Sequence, residues 1–354
     1  MSDQSSKEAI SPTNTDALLE SYLDSFSALV KAQSIESSDG SSYPWAWEYV
    51  GGESEFTLVV SVMIHGNEVG PLEGLLDIID GLESGKIKFC GRLICLIGNP
   101  EAARLGKRFV EVDLNRVFEK EDLDPHAEAV VTPHENKRAQ ELLPYLDRAD
   151  LYVDFHQTIL DSAQSFYITP WSKSAWQWMR LMGGAKVWVT RNPQQNSGGF
   201  KCADEYVRQR GKPSIALELG ALGFSSKARS GVWKSLNRAM KGINQIVQGE
   251  SLEALVENEP DLTFYQTSYR CPFDRPELIL KDGLVNFTSV QQGESLSASE
   301  DSDDALIAPQ TGMILFPKYP LRDENGNALQ PLPKEIYRIV SELDGHPLEL
   351  WENK

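Results

Sequence analysis

The sequence predicts an α/β protein, a mixed sheet with helices on both faces, followed by a small C-terminal all-β domain. Three observations predict it. Short apolar runs alternate with amphipathic stretches of helical period between residues 56 and 247, the mark of a sheet covered on both faces. Near residue 250 the pattern changes to brief β-like runs separated by turn residues. Hydrophobic residues make up 41% and aromatics 9% of the 354 residues, enough to bury a sizeable core.

In chain order, residues 1–14 read as a polar, Ser-rich tail with no apolar segment of the secretory kind. From Asp16 to Lys31 apolar residues recur at helical spacing (Leu18, Leu19, Tyr22, Leu23, Phe26, Leu29, Val30), which predicts a helix packed on the main domain. Residues 35–43 read as a loop. Phe56–Ile64 is a strand, Val69–Leu82 a helix and Leu93–Ile97 a strand; Glu135–Leu146 is an amphipathic helix and Leu151–Phe155 a buried strand. Further strands are expected at Ser165–Thr169, Val187–Thr190 and Ile215–Leu219, and helices at Trp176–Met182 and Val232–Val247. Beyond them, β-like runs occur at Leu278–Leu280, Leu284–Val290, Ala305–Ala308, Met313–Phe316 and Ile336–Val340, with an acidic, Ser-rich loop at Ser295–Asp304. The expected domains are 1–45, a tail and helix; 46–250, the α/β domain; and 251–354, the β domain. No repeat of fixed period is present.

The formal net charge is −18. Such a surface repels phosphate backbones and anionic lipid, which argues against nucleic-acid and membrane partners. No apolar run of about 18 residues or more suggests a membrane span. Cys90, Cys95, Cys202 and Cys271 form no C-x-x-C pair and are too sparse for a disulfide framework, so they read as free thiols in a reducing cytoplasm.

Two motifs point to chemistry. In Met63-Ile64-His65-Gly66-Asn67-Glu68 a strand delivers His65 to its carboxyl end, a tight turn follows, and Glu68 opens the next helix. In Leu151-Tyr152-Val153-Asp154-Phe155-His156 a buried strand again ends in histidine, with Asp154 on the same side two residues earlier, suited to orienting a ligand. Ligand sites of open α/β sheets lie at the carboxyl ends of strands. A lone His-x-x-Glu is common, and a strand-end histidine can simply be hydrogen-bonded. The joint pattern is more specific, because only five histidines exist and two terminate hydrophobic strands. His126, His134 and His346 lie in polar or Pro-flanked segments and read as surface residues. Two histidines and one glutamate leave a fourth position open, as catalytic zinc requires; manganese, cobalt or iron would also suit the donors.

Arg104, Lys107, Arg108 and Arg116 concentrate positive charge in an acidic chain, with Asn115 among them. They read equally as a carboxylate clamp or as a solvated basic loop. Glu218 lies in the apolar run Ile215–Gly220, where a charge is costly unless paired or used. It is either a general base beside the metal or a carboxylate paired at a sheet edge.

Taken together and in order, His65-Gly66-Asn67-Glu68, Arg108 with Asp113-Leu114-Asn115-Arg116, Asp154-Phe155-His156 and Glu218-Leu219-Gly220 resemble the succinylglutamate desuccinylase/aspartoacylase family, a branch of the zinc carboxypeptidase-like metallohydrolases. The likeness covers about residues 56–225, with Asn286-Phe287-Thr288 and Ile314-Leu315-Phe316-Pro317 similar to the family's C-terminal β-domain. It implies a zinc carboxypeptidase-like fold and one zinc per chain on His65, Glu68 and His156. It implies Glu218 as general base and Arg108 as the group that polarises the scissile carbonyl. Asn115 and Arg116 would grip the free carboxylate, Arg208 would bind a second one, and Tyr319 would rim the pocket. In one place the chain departs: where desuccinylases would carry Thr-Ala-Ile-Arg it reads Gln157-Thr158-Ile159-Leu160. That removes an anchor for a second carboxylate and leaves the acyl group open.

The expected activity is hydrolysis of the amide of a small N-acyl amino acid. Its partners are limited to that substrate, with homo-oligomerisation left open. A carboxypeptidase acting on short peptides would use the same clamp, and a non-catalytic binder would be expected to have lost Glu218 or a ligand.

Overall fold

The computed structural model describes residues 12–36, 45–52, 54–119, 132–194, 201–298, 306–324, 326–329 and 332–352. The expected tail up to residue 11, most of the 35–43 loop, His126 and most of the acidic loop after Ser295 lie outside them.

Among the described residues eleven strands form one sheet. They are β1 (Ala46–Val50), β2 (Thr57–Val62), β3 (Arg92–Ile97), β4 (Leu151–Thr158), β5 (Phe166–Ile168), β6 (Val187–Val189), β7 (Ser214–Ala221), β8 (Thr263–Pro272), β9 (Ser289–Val290), β10 (Gly312–Leu315) and β11 (Glu335–Glu342). Their order is β1-β3-β2-β4-β7-β5-β6-β8-β11-β10-β9. Strands β3, β2, β4 and β7 run parallel at the centre. Antiparallel pairs occur at β1, at β5–β7 and from β8 onward, so the sheet is mixed as expected.

Alternation along the central strands sorts side chains onto two faces. Leu58, Val60 and Val62 of β2, Leu93, Cys95 and Ile97 of β3 and Leu151, Val153 and Phe155 of β4 join one core cluster. The helices α1 (Pro12–Glu36), α2 (Pro71–Glu83), α5 (Lys173–Met182) and α7 (Ser226–Val247) cover it. Helix α1 enters through Leu19, Leu23, Phe26 and Val30, the spacing its sequence predicts. Val59, Ile94, Leu96 and Tyr152 face the other way, under α4 (His134–Leu146) and α6 (Ala203–Arg208). Two short helices, α3 (Pro100–Arg104) and α8 (Leu252–Val256), and single turns at Leu114–Arg116 and Leu348–Glu352 complete the set among the described residues.

The segment expected as a separate all-β domain differs in two respects. It contains α8 and the turn at Leu348–Glu352, and its strands continue the main sheet, because β8 pairs in parallel with β6. It does have its own apolar cluster, with Leu280, Leu284, Val290, Leu296, Ile314 and Ile339 among its members. Leu280 and Ile307 form isolated bridges, to Ser297 and Ser295, rather than strands. His134 and His346, expected at the surface, are half-buried. The His346 ring packs 4.9–5.5 Å from Phe264, Trp176 and Trp171 in edge-to-face contacts, which draw it out of water. All four cysteines are free. Among the described residues no helix is long and apolar enough to cross a membrane.

Helix α4 fastens the loop that follows β3. The fully buried Glu135 carboxylate accepts backbone N–H bonds from Val110 at 2.6 Å, Glu111 at 3.1 Å and Val112 at 3.0 Å, and a side-chain bond from Asn99 at 3.0 Å. Burial alone would raise its pKa; these four donors reverse that and hold it below the ordinary 4.5. One turn on, Arg138 donates to the carbonyls of Gly98 and Ile97. A folded-state pKa below the unfolded one stabilises the fold above the unfolded value, and that gain is lost as pH falls through the folded one. Glu135→Gln, which keeps one acceptor and loses the charge, is expected to cost about 1–3 kcal/mol at neutral pH. In urea titrations the gap between wild type and variant should shrink below pH 4.5; a gap that persists into acid would refute the assignment.

Candidate metal centre

The central strands carry the site at their carboxyl ends. After β2 the chain leaves the sheet through Met63, whose φ of 58° lies in the left-handed region that a buried non-glycine residue rarely adopts. Met63 O accepts from Asn99 N at 2.7 Å and Gly98 packs against Ile64, so the exit of β3 holds this bend. The turn then presents His65 and Glu68. The 104–113 loop closes on it through Gly66 N donating to Arg108 O at 2.9 Å.

His65, Glu68 and His156 are all buried and converge, each offering a ligand atom within 4.8 Å of the others. Nδ1 of His65 lies 2.7 Å from Glu68 Oε1, and Nδ1 of His156 lies 2.8 Å from Glu68 Oε2. The two imidazole centroids are 4.9 Å apart. Each far nitrogen faces an aspartate: His156 Nε2 is 2.8 Å from Asp154 Oδ2, and His65 Nε2 is 3.4 Å from Asp113 Oδ1. Asp154 is fixed in turn by the Ser61 hydroxyl at 2.6 Å, which is itself 2.6 Å from the Tyr152 hydroxyl.

Charges follow this geometry. Burial would raise Glu68, but His65 and His156 hold it well below the usual carboxylate range. Burial would lower His156, but Asp154 and Glu68 raise it well above an ordinary imidazole. Burial would raise Asp113 also, and the bond to His65 with the nearby charge of Arg108 holds it low.

Glu218 stands directly opposite His156 in the parallel β4–β7 ladder. The alternating residues Ile215, Leu217 and Leu219 enter the opposite core, so Glu218 points to the side of His156 and Asp154. Burial pushes its carboxyl up to about 7 against the lowering influence of His156. Its Oε2 is buried and has no hydrogen-bond partner, as is Oδ1 of Asn67 beside Glu68. Buried orphan oxygens next to a two-imidazole, one-carboxylate donor set, with each imidazole backed by an aspartate, fit a divalent cation with one ligand position left over.

The residues expected to act on or hold substrate fall in four places. Arg108 is at the centre: its guanidinium lies 2.6 Å from His65 Nε2, 3.2 Å from Asp113 and 3.5 Å from Glu68. Asn115 and Arg116 form the adjacent turn. Asn115 Oδ1 accepts from Ala203 N at 2.9 Å, which orients the amide, and Arg116 contacts its neighbour's carbonyl and Cys202 Sγ. Arg208 ends α6, with its guanidinium engaged by Glu205 at 2.5 and 2.8 Å. Tyr319 belongs to the C-terminal cluster and donates to Lys281 O at 2.7 Å.

Reasoning from sequence passed over Asp113 as a partner of His65, the Ser61–Tyr152 support, Glu135 and Gln157. Asp113 lies within a motif already singled out, but nothing in its spacing from His65 announces the contact.

A family model described as the succinylglutamate desuccinylase/aspartoacylase catalytic domain matches residues 55–246. The chain is 29% identical over 275 residues to the succinylglutamate desuccinylase of Pseudomonas paraeruginosa, covering 73% of this chain and 79% of that one. It is 30% identical over 276 residues to the succinylglutamate desuccinylase of Pseudomonas syringae pv. tomato, covering 73% and 78%. The solved succinylglutamate desuccinylase of Vibrio cholerae superposes with a TM-score of 0.61 at 19% identity, over 85% of this chain and 86% of that one, a likeness of fold. With the catalytic-domain match spanning more than half its length, the chain belongs to the succinylglutamate desuccinylase/aspartoacylase family.

Proposed function

We propose that the chain is a zinc-dependent hydrolase that cleaves the amide bond of a small N-acyl amino acid. The observation that carries this reading is the convergence of His65, Glu68 and His156 beside a half-buried Glu218 whose buried Oε2 has no hydrogen-bond partner. The family's relatives named above, which bear the name succinylglutamate desuccinylase, support the same class of substrate.

His65, Glu68 and His156 would hold the cation through two nitrogens and an oxygen. When bound, zinc supplies Lewis acidity and draws the pKa of water toward ~7. Glu218 takes a proton from the attacking water, whose oxygen bonds to the acyl carbon. Arg108, fixed by Asp113, faces the negative charge that develops on the carbonyl oxygen. The carbon–nitrogen bond then breaks, Glu218 returns the proton to the nitrogen, and a carboxylic acid and a free amino acid leave. Asn115 and Arg116 grip the carboxylate of the amino-acid part, a planar group that a guanidinium fork matches. Tyr319 and Arg208 are secondary candidates for substrate contact; Arg208 serves only if its pair with Glu205 opens.

The test is a panel of N-acetyl and N-succinyl derivatives of aspartate, glutamate and arginine with zinc supplied, read by free amine release, with short peptides run beside them. Hydrolysis of at least one N-acyl amino acid and of none of the peptides is expected; the reverse would make the chain a carboxypeptidase. Chelation should abolish turnover and zinc should restore it, with one ion bound per chain by elemental analysis. Glu218→Gln should lower kcat about 10²–10⁴-fold while zinc stays bound, and near wild-type turnover would remove Glu218 from its role. Arg108→Ala should lower kcat about 10²–10³-fold; a change in KM alone would make Arg108 a substrate anchor instead.

A further inference from the structure

We infer that Gln157 is a positioning residue that sets the spacing between the metal-bearing turn and the strand that carries Glu218. The inference rests on the deacylase reading for one of its readouts only. Gln157 follows His156, so its side chain leaves the opposite face of β4 and takes no part in the site. It is buried, and its carboxamide is used at both ends. Oε1 accepts from Gly70 N at 2.7 Å, two residues after Glu68. Nε2 donates to Ala221 O at 2.5 Å and Gly223 O at 2.9 Å, just beyond Glu218. Its backbone N–H donates to Glu68 Oε2 at 3.1 Å.

The ladder explains why a clasp is needed here. His156 pairs with Glu218 but Thr158 pairs with Ala221, so β7 gains a residue at this point. Such a bulge interrupts pairing and re-aims the strand, and backbone register alone no longer fixes where β7 leaves the sheet. The Gln157 side chain bridges the interruption. A carboxamide suits the task because it accepts and donates at once, whereas an ionised carboxylate only accepts. Steric fit adds a second constraint: a Cβ on Gly70 would come within 2.3 Å of Gly223 O and 2.5 Å of Gln157 Nε2. The φ of Gly70 is −58°, ordinary for any residue, so an alanine there would act only by wedging the two segments apart.

Two variants of the full chain test this: Gln157→Glu, isosteric and without the donor arm, and Gly70→Ala. The first measurement needs no substrate: amide hydrogen exchange in the metal-free protein. At Gly70 and residues 219–223 it should accelerate about tenfold or more in both variants, while amides of β2 and β3 hold their rates. The second uses whichever N-acyl amino acid the wild type hydrolyses. There kcat should fall up to about 10²-fold, with KM and the zinc Kd within about threefold of wild type. Unchanged exchange at these amides would overturn the inference. So would acceleration spread over the whole sheet, which marks general destabilisation, or a loss confined to KM. A wild type inert on every N-acyl amino acid would sink the deacylase reading, and exchange alone would then decide the role of Gln157.

Discussion

A carboxylate stripped of water is tolerated only where cations or donors replace the water, and Glu68 imposes that condition on everything around it. Two imidazoles, a guanidinium and a backbone amide meet it, and they come from three separate stretches of chain. The turn after β2 brings His65, the loop after β3 brings Arg108, and β4 brings both His156 and the Gln157 amide. A displacement of any of these segments leaves a buried charge short of a partner. The same requirement makes the group receptive to a divalent ion, whose charge would replace protons on the imidazoles.

The sheet turns this local demand into architecture. A side-chain period of two places Tyr152, Asp154 and His156 on one face of β4, and Ala216 and Glu218 on the matching face of β7. Parallel register then sets Glu218 and His156 side by side without any loop having to find its position. The aspartates behind the imidazoles come from different sources, Asp154 from the strand itself and Asp113 from a loop held by Glu135. One half of the support is therefore as rigid as the sheet, and the other depends on α4.

Much of this was legible in the sequence because it rests on local pattern. Buried strands β2, β4 and β7 announce themselves as apolar runs, and a histidine closing such a run is conspicuous in a chain with five. What escaped is set by pairing between distant segments. Gln157 reads as an ordinary polar residue after a strand until the β7 bulge gives its two ends partners, and Glu135 reads as the polar side of an amphipathic helix until three loop amides turn toward it. Strands β1 and β8 were missed because Trp, Tyr, Thr and Arg alternate there without a long aliphatic run. The division expected near residue 250 followed a true change in composition, but hydrogen bonding between β6 and β8 carries the sheet across it.

That splice has a consequence for the life of the molecule outside the reaction. Paired with β6 on one side and β11 on the other, β8 covers the facing edges of both. If the C-terminal segment peels away, β6 exposes a bare row of amides and carbonyls, the template on which foreign strands add. The C-terminal strands thus close an edge that the α/β half would otherwise present, and partial unfolding from that end would uncover it while β2, β4 and β7 kept their pairing.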